Sequence, residues 1–324
     1  MAITRRGFVL GAAASAAAAL SHPTPAQAGR APKERIPGAL GMLIDTTLCI
    51  GCKGCQNACK RELGMPADSE GRDDAPESAL YDMPKGLSHT TACVIKQSDA
   101  GDAASFVKQH CLHCVDPSCV SVCPVNAMIK DPVTGIVSND PDRCIGCRYC
   151  VYACPFGVPQ FDYVSAYGRI HKCEMCPERR AAGELPACCD ACPTGATLFG
   201  PVEELMVEAQ RRLNAKPGES LLYPRGDLSG RKQGHERPAP LYIPGVYGQR
   251  ELGGTQVLYL AGQPFEQLGL PTDVPDVSYA TVSEGIQHAI YKDMIAPTVI
   301  FGGLLALIHR RESHASDEEK RDDH

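Results

Sequence analysis

Apolar residues form continuous stretches only near the two ends of the chain, and between them they come in short pieces. Near the N-terminus an Ala-rich, weakly apolar stretch, Phe8 to Leu20, follows Thr4-Arg5-Arg6-Gly7 and precedes Ala26-Gln27-Ala28. A charged start, an apolar middle and a small-residue A-x-A end predict a removable export signal over residues 1–28, with the mature chain starting near Gly29. The paired arginines directly ahead of Phe8 predict the twin-arginine route, although Leu10 stands where a Lys is frequent. At the other end Met294 to Ile308 carries no charge. Extended back to Ile290 it reaches roughly 28 Å as a helix, close to the ~30 Å of a bilayer core. The pattern therefore predicts one transmembrane helix at 290–309. His309-Arg310-Arg311 follow at once, which puts the polar tail 310–324 on the cytoplasmic side.

Between these ends the hydrophobic periods are short. Gly41–Asp45, Ala92–Lys96 and Ser105–Lys108 read as strands. Ala127–Lys130, a turn at Asp131–Gly135 and Ile136–Ser138 read as strand, turn and strand. Val202 to Ala215 places apolar residues at 202, 205, 206, 209 and 213, one face of a helix, between Pro201 and Pro217-Gly218. Residues 218–285, rich in Pro, Gly and Tyr, read as an extended arm on a neighbouring subunit. The polar insertion at 60–110, above all between Pro66 and Pro84, reads as loops.

Composition changes the question from fold to chemistry. The 324 residues include 18 Cys, 31 Gly and 26 Pro, no Trp and a net charge of −6. A disordered chain is excluded by 44% hydrophobic residues, and a nucleic-acid binder would carry a basic excess. Exported proteins usually oxidise their thiols to disulfides. A twin-arginine substrate crosses already folded, so its thiols can be taken up by metal first.

Sixteen of the cysteines fall into four runs: Cys49-x2-Cys52-x2-Cys55-x3-Cys59, Cys111-x2-Cys114-x4-Cys119-x3-Cys123, Cys144-x2-Cys147-x2-Cys150-x3-Cys154, and Cys173-x2-Cys176-x11-Cys188-x3-Cys192. Pro follows the fourth cysteine in every run but the first, where Lys60 stands. The C-x2-C-x2-C-x3-C-P spacing is that of bacterial ferredoxins: three thiols on one loop cap three corners of a cubane, and the fourth ligates the other cluster of the pair. Gly51, Gly54 and Gly146 let backbone pass close to sulfide. Structural zinc takes two separated C-x2-C pairs per ion, and three cysteines within seven residues suit it poorly. Disulfides would leave the repeat unexplained. Each run offers four thiols, so four [4Fe–4S] clusters are expected. The expected fold is α+β: two ferredoxin-like halves with insertions over 36–200, an extended loop-rich C-terminal arm over 201–289, and the single C-terminal transmembrane helix. Runs two and three start 33 residues apart, an internal repeat.

Other residues read plainly. His110 and His113 flank run two and read as packing or solvent-facing residues rather than cluster-tuning ones. Lys53, Lys60, Arg143 and Arg148 are either cations that raise a cluster potential or solvated surface residues. Cys93 reads as a buried small hydrophobe. No G-x-G-x-x-G, P-loop or nucleophile elbow is present, so no catalytic residue is assigned.

The run order, the paired arginines and the C-terminal apolar helix resemble the four-cluster ferredoxin subunits of membrane-bound bacterial oxidoreductases, among them formate dehydrogenase beta and dimethyl sulfoxide reductase B subunits. Ile36 to Leu43, Gln109 to Pro117, Cys144 to Cys150, Gly253 to Leu258 and Ile286 to Lys292 carry a resemblance to the hydrogenase-2 branch of that family. The resemblance implies a non-catalytic electron-transfer subunit on the periplasmic side of the inner membrane. It would work between the small and large subunits of a [NiFe] hydrogenase and an integral membrane, quinone-reactive subunit. The alternatives are the equivalent subunit of a formate dehydrogenase or other molybdoenzyme, and a zinc-binding structural or assembly protein. The resemblance also implies the ligand sets: Cys49, Cys52, Cys55 and Cys192 for cluster one; Cys59, Cys173, Cys176 and Cys188 for cluster two; Cys123, Cys144, Cys147 and Cys150 for cluster three; Cys111, Cys114, Cys119 and Cys154 for cluster four. Cys189, next to Cys188, leaves the choice between those two open.

Overall fold

The computed structural model describes residues 30–67, 84–98 and 105–322. The expected export signal at 1–28 lies outside these residues, as does most of the stretch between Pro66 and Pro84. Two compact units are present. Pro32–Ala280 is one; the C-terminal helix from Thr281, with Arg30 and Ala31, belongs to the other.

The first unit is mixed α and β, built around a three-stranded sheet. Its middle strand β1 (Leu40–Asp45) is buried from end to end but for Leu40, as befits an apolar strand covered on both faces. Further along the chain come α1 (Gly54–Glu62), β2 (Val94–Ser98), β3 (Ser105–Gln109), α2 (Ser118–Ser121), β4 (Met128–Lys130) and β5 (Val137–Asn139). Next are α3 (Tyr149–Ala153), β6 (Gln160–Phe161), β7 (Ile170–His171), α4 (Pro177–Ala181), α5 (Ala187–Asp190) and β8 (Thr197–Pro201). After the last cysteine come α6 (Val202–Asn214), β9 (Ser220–Arg225), β10 (Lys232–Pro238) and β11 (Val257–Leu260). The strand pairs β2–β3, β4–β5, β6–β7 and β9–β10 are antiparallel two-stranded ribbons.

β1 pairs antiparallel with β8, Met42 facing Phe199, and parallel with β11, Met42 facing Val257. Period-two alternation gives this sheet two different faces. Leu43, Leu198, Leu258 and Leu260 pack with Val202, Leu205 and Ala209 of α6, the helix face read from the apolar spacing. Met42, Ile44, Val257 and Tyr259 face the other way, into the cluster of buried residues that holds Cys55, Cys111, Cys173 and Cys188. The sheet thus stands between α6 and the thiols.

Residues 218–285 differ from the expected extended arm. The four residues of β11 are all buried and extend the central sheet, because Val257-Leu-Tyr-Leu is apolar on both faces. The C-terminal helix, α7 (Tyr279–Asp322), is also longer than expected at both ends. Its polar end holds three Glu and three Arg between 310 and 322 and no Gly or Pro, so the basic residues at 309–311 do not stop it. Tyr279–Arg310 is long and apolar enough to cross a membrane.

Candidate metal centres

Three of the four cysteine runs bend where a left-handed backbone lets a short helix begin. Gly51 and Gly146 have φ of 69°, and Lys53 and Arg148, at 56° and 64°, stand directly before α1 and α3. This repeated turn gives runs one and three the same local shape. Cys176 stands before α4 with φ of 50°. Helix α1 packs on α5, joining runs one and four, and α2 packs on α3, joining runs two and three.

The structure brings the thiols into four groups. Burial pushes Cys49 up to about 12, with Cys55, Cys192 and Cys52 adding to the rise. The same four line one cavity with Ile44, Ile95 and Lys108. Burial also raises Cys59, with Cys173, Cys188 and Cys176 as its charged neighbours. Cys150 is raised to about 11 by burial, then by Cys144, Cys147 and Cys123. Cys114 is raised by burial, then by Cys154, Cys111 and Cys119. We call these sets one, two, three and four.

Thiols held this far above their ordinary range cannot all ionise together without nearby positive charge. A set of four converging thiols, at least one of them raised in this way in each set, therefore fits a polycationic group that deprotonates its ligands on binding. Among the described residues no group of three or more His, Cys, Asp or Glu is placed to hold a single metal ion. Backbone amides also point at sulfur: Ala127 and Met128 donate to Cys123 Sγ at 3.2 and 3.4 Å. Such N–H···S bonds are the usual outer support of an iron–sulfur ligand.

The sets neighbour one another in a line, each close enough to feel the charge of the next. Cys55 of set one is a charged neighbour of Cys188 in set two. Cys173 of set two neighbours Cys111 in set four, and Cys119 of set four neighbours Cys150 in set three. Set one is open at Cys52, which is exposed.

Cys188 and Cys189 are adjacent on α5 with sulfurs 4.0 Å apart. Cys188 is the one that acts on Cys59, Cys173 and Cys176. Cys189 and Lys108 together hold it down at about 5. Cys93 is buried, as the sequence suggested, and its thiol shares a hydrogen bond with Cys55. His110 and His113 are both buried rather than solvent-facing, and burial holds both well below their ordinary range. His110 Nδ1 lies 2.7 Å from the Cys111 carbonyl, and His113 Nδ1 accepts the Val137 N–H at 2.9 Å.

The basic residues near the runs part company. Arg143 is exposed and pairs with Asp140 at 3.2 Å. Arg148 lies over the rings of Phe161 and Tyr163. Lys60 is buried and its Nζ donates to the Pro66 carbonyl at 3.2 Å. Sequence reasoning missed Lys108, which is buried on β3 among Cys188, Cys93, Cys189 and Cys55. Burial alone would push its ammonium down; those sulfurs outweigh it and hold it well above the usual range. The available signal was a Lys beside Val107 in an apolar strand, three residues ahead of run two.

Comparison with known proteins agrees with this geometry. The pattern of a 4Fe-4S dicluster domain matches residues 103–202. The hydrogenase-2 operon protein HybA of Escherichia coli O157:H7 is 41% identical over 335 aligned positions, covering 99% of each chain. The chain belongs to the HybA family. More distant relatives of this HybA-family chain are iron–sulfur subunits of formate dehydrogenases. The one from Haemophilus influenzae is 32% identical over 88% of this chain and 82% of its own. The nitrate-inducible one from Escherichia coli K12 is 34% identical over 71% and 72%. With its dicluster domain, this HybA-family member is an iron–sulfur electron-transfer subunit rather than a catalytic one.

Proposed function

We propose that the chain carries four [4Fe–4S] clusters and passes electrons from a periplasmic [NiFe] hydrogenase to a quinone-reactive integral membrane subunit. The observation that carries this reading is the line of four thiol sets, in the order one, two, four, three. The ligands on this reading are Cys49, Cys52, Cys55 and Cys192 in set one and Cys59, Cys173, Cys176 and Cys188 in set two. Cys123, Cys144, Cys147 and Cys150 serve set three, and Cys111, Cys114, Cys119 and Cys154 set four. When bound, such clusters supply one-electron carriers. The chain's own residues fix the spacing of the thiols, bury them from water and point amides at sulfur. The pairing of α1 with α5 and of α2 with α3 supports two ferredoxin-like halves.

The ends of the line suit partner contact. Beside set three, Ile145, Tyr149 and Tyr152 are exposed, and beside set one Ile50 is exposed; on this reading a partner subunit covers them. The hydrogenase assignment rests on the HybA relationship over nearly the whole of both chains. On the same reading residues 1–28 are a twin-arginine signal, 290–309 the membrane anchor and 310–324 a cytoplasmic extension.

Metal and sulfide analysis of the detergent-solubilised complex tests the proposal. About sixteen irons per chain, from four clusters of the four-iron type, are expected, with nickel co-purifying. Molybdenum in place of nickel would move the subunit to a formate dehydrogenase-like complex, and a colourless zinc protein would end the cluster reading. Deleting residues 290–324 should release the chain from membranes; continued binding would reject the anchor.

A further inference from the structure

Lys172 and Lys108, both buried, and Lys130, half-buried, lie near the thiol sets, and they are not equivalent. Lys172 donates to the Val137 carbonyl and, at 3.1 Å, to the Cys173 carbonyl, and pairs with Glu174 at 3.8 Å. Lys130 donates to the carbonyls of Cys114 and Gly135, both at 2.9 Å, and to Gln256 Oε1 at 3.0 Å. Both are satisfied by oxygen. Lys108 is surrounded by sulfur. Its Nζ lies 3.9 Å from Met42 Sδ and hydrogen-bonds the Cys188 thiol, and its side chain lines the cavity of set one with Cys49, Cys52, Cys55 and Cys192.

A lone ammonium is costly to bury unless a negative charge compensates it. A cluster ligated by four thiolates is anionic in both of its oxidation states, and more so when reduced. A fixed cation in contact therefore favours the reduced state, and in a low-dielectric interior the Coulomb energy is little screened. Lys108 bridges set one, through Cys55, and set two, through Cys188.

We propose that Lys108 is a fixed positive charge shared by the clusters of sets one and two, holding their reduction potentials above the values the same ligands would give without it. The inference rests on the four-cluster reading. Set one and set two lie at one end of the line, so the charge makes that end the better electron reservoir. Lys108 acts through the cluster environment as a positioning residue and holds no iron itself.

The test is potentiometric electron paramagnetic resonance on the full complex, with set two assigned by the signal lost in Cys188→Ser. Lys108→Met removes the charge and keeps most of the side-chain length; Lys108→Arg keeps the charge. At the wild-type midpoint potentials, Lys108→Met should lower the reduced-to-oxidised ratio of both set one and set two at least tenfold, about 59 mV for one electron. Sets three and four should move less, and Lys108→Arg should remain near wild type. Full iron content with no potential shift in Lys108→Met would overturn the proposal while leaving the four-cluster reading intact. An equal shift in all four clusters, or the same shift in Lys108→Arg, would also overturn it. Should Lys108→Met not load iron, Lys108→Gln carries the same comparison. If no neutral variant loads sets one and two but Lys108→Arg does, the charge requirement stands; if Lys108→Arg fails as well, the residue packs and the proposal falls. Absence of iron from the wild type would instead remove the four-cluster reading.

Discussion

The adjacent pair on α5 offers the sharpest perturbation. Successive helical residues point about 100° apart, so Cys188 and Cys189 cannot both face set two. Cys188 faces Cys59, Cys173 and Cys176, whereas Cys189 faces Cys188, Lys108 and Cys192. Cys188→Ser should therefore remove one ligand from set two, and iron and sulfide should fall by a quarter, from about sixteen irons to about twelve. Cys189→Ser should keep all of the iron. It buries a hydroxyl in a fully buried site, at a cost of about 1–3 kcal/mol, which reads out as an earlier thermal bleach rather than a lost cluster. The assays are iron and sulfide per chain, and the count of paramagnetic signals at full reduction. The reverse outcome, a quarter of the iron lost from Cys189→Ser and none from Cys188→Ser, would refute the geometric argument. Full iron in Cys188→Ser that disappears only in the double variant would refute it too, since Cys189 would then reach the set.

Three further expectations concern the frame around the site. Arg212 is fully buried between Asp45, at 2.9 Å, and Glu208, at 2.7 Å; Arg212→Leu should cost about 3–5 kcal/mol by leaving the buried Asp45 carboxylate without its cation, measured by chemical denaturation of the solubilised chain. Glu208 is held below its ordinary 4.5 because Arg211 and Arg212 outweigh its burial. Its contribution is therefore fully present above pH 4.5 and lost as pH falls through its lowered value, a slope that should flatten in Glu208→Gln when denaturation is repeated between pH 6 and pH 3. In Gly41→Ala the new Cβ would meet the Gln256 carbonyl oxygen at 1.9 Å, so β1 and β11 must part. A loss of about 1–3 kcal/mol is expected, and thermal unfolding indistinguishable from wild type would show that the strands are not held that closely.

What could be read from the chain was local. Gly41–Asp45, Ser105–Lys108 and the turn at Asp131–Gly135 follow from apolar alternation and from Pro and Gly, and each falls within a residue or two of a strand or turn in the fold. Helix 202–215 follows from the period of its apolar face. The run spacing points to the cofactor class, because three thiols on one loop have few other uses. Distant pairings were not readable. The partnership of β1 with β11 joins Met42 to Val257 across more than 200 residues, and no local period announces it. Lys108 was missed for the same reason: a lysine in a short strand reads as surface until the sulfurs of runs one and four arrive around it.

The segment after the last cysteine turns out to hold the thiol loops in place. Arg212 on α6 binds Asp45, and Asp45 accepts from the Thr47 N–H and hydroxyl in the turn that leads to Cys49. Gln256 donates its side chain to the carbonyls of Leu40 and Thr134 and its backbone N–H to that of Leu112. It thereby ties β1 to the loops around run two. Tyr259 on β11 donates its hydroxyl to the Lys108 carbonyl at 2.8 Å, fixing the strand that carries the buried lysine. Residues 36–200 contain every proposed ligand, yet each of these ties comes from beyond them. A chain ending at Gly200 would also expose Met42, Leu43 and Ile44 on β1, which are buried in the intact fold, and it would leave Asp45 without its arginine. Such a chain should fail to load iron, or lose it within the purification, when full-length protein handled in parallel keeps about sixteen atoms. A truncated chain that retained all its iron would show that the cysteine runs organise themselves and that the C-terminal ties are dispensable.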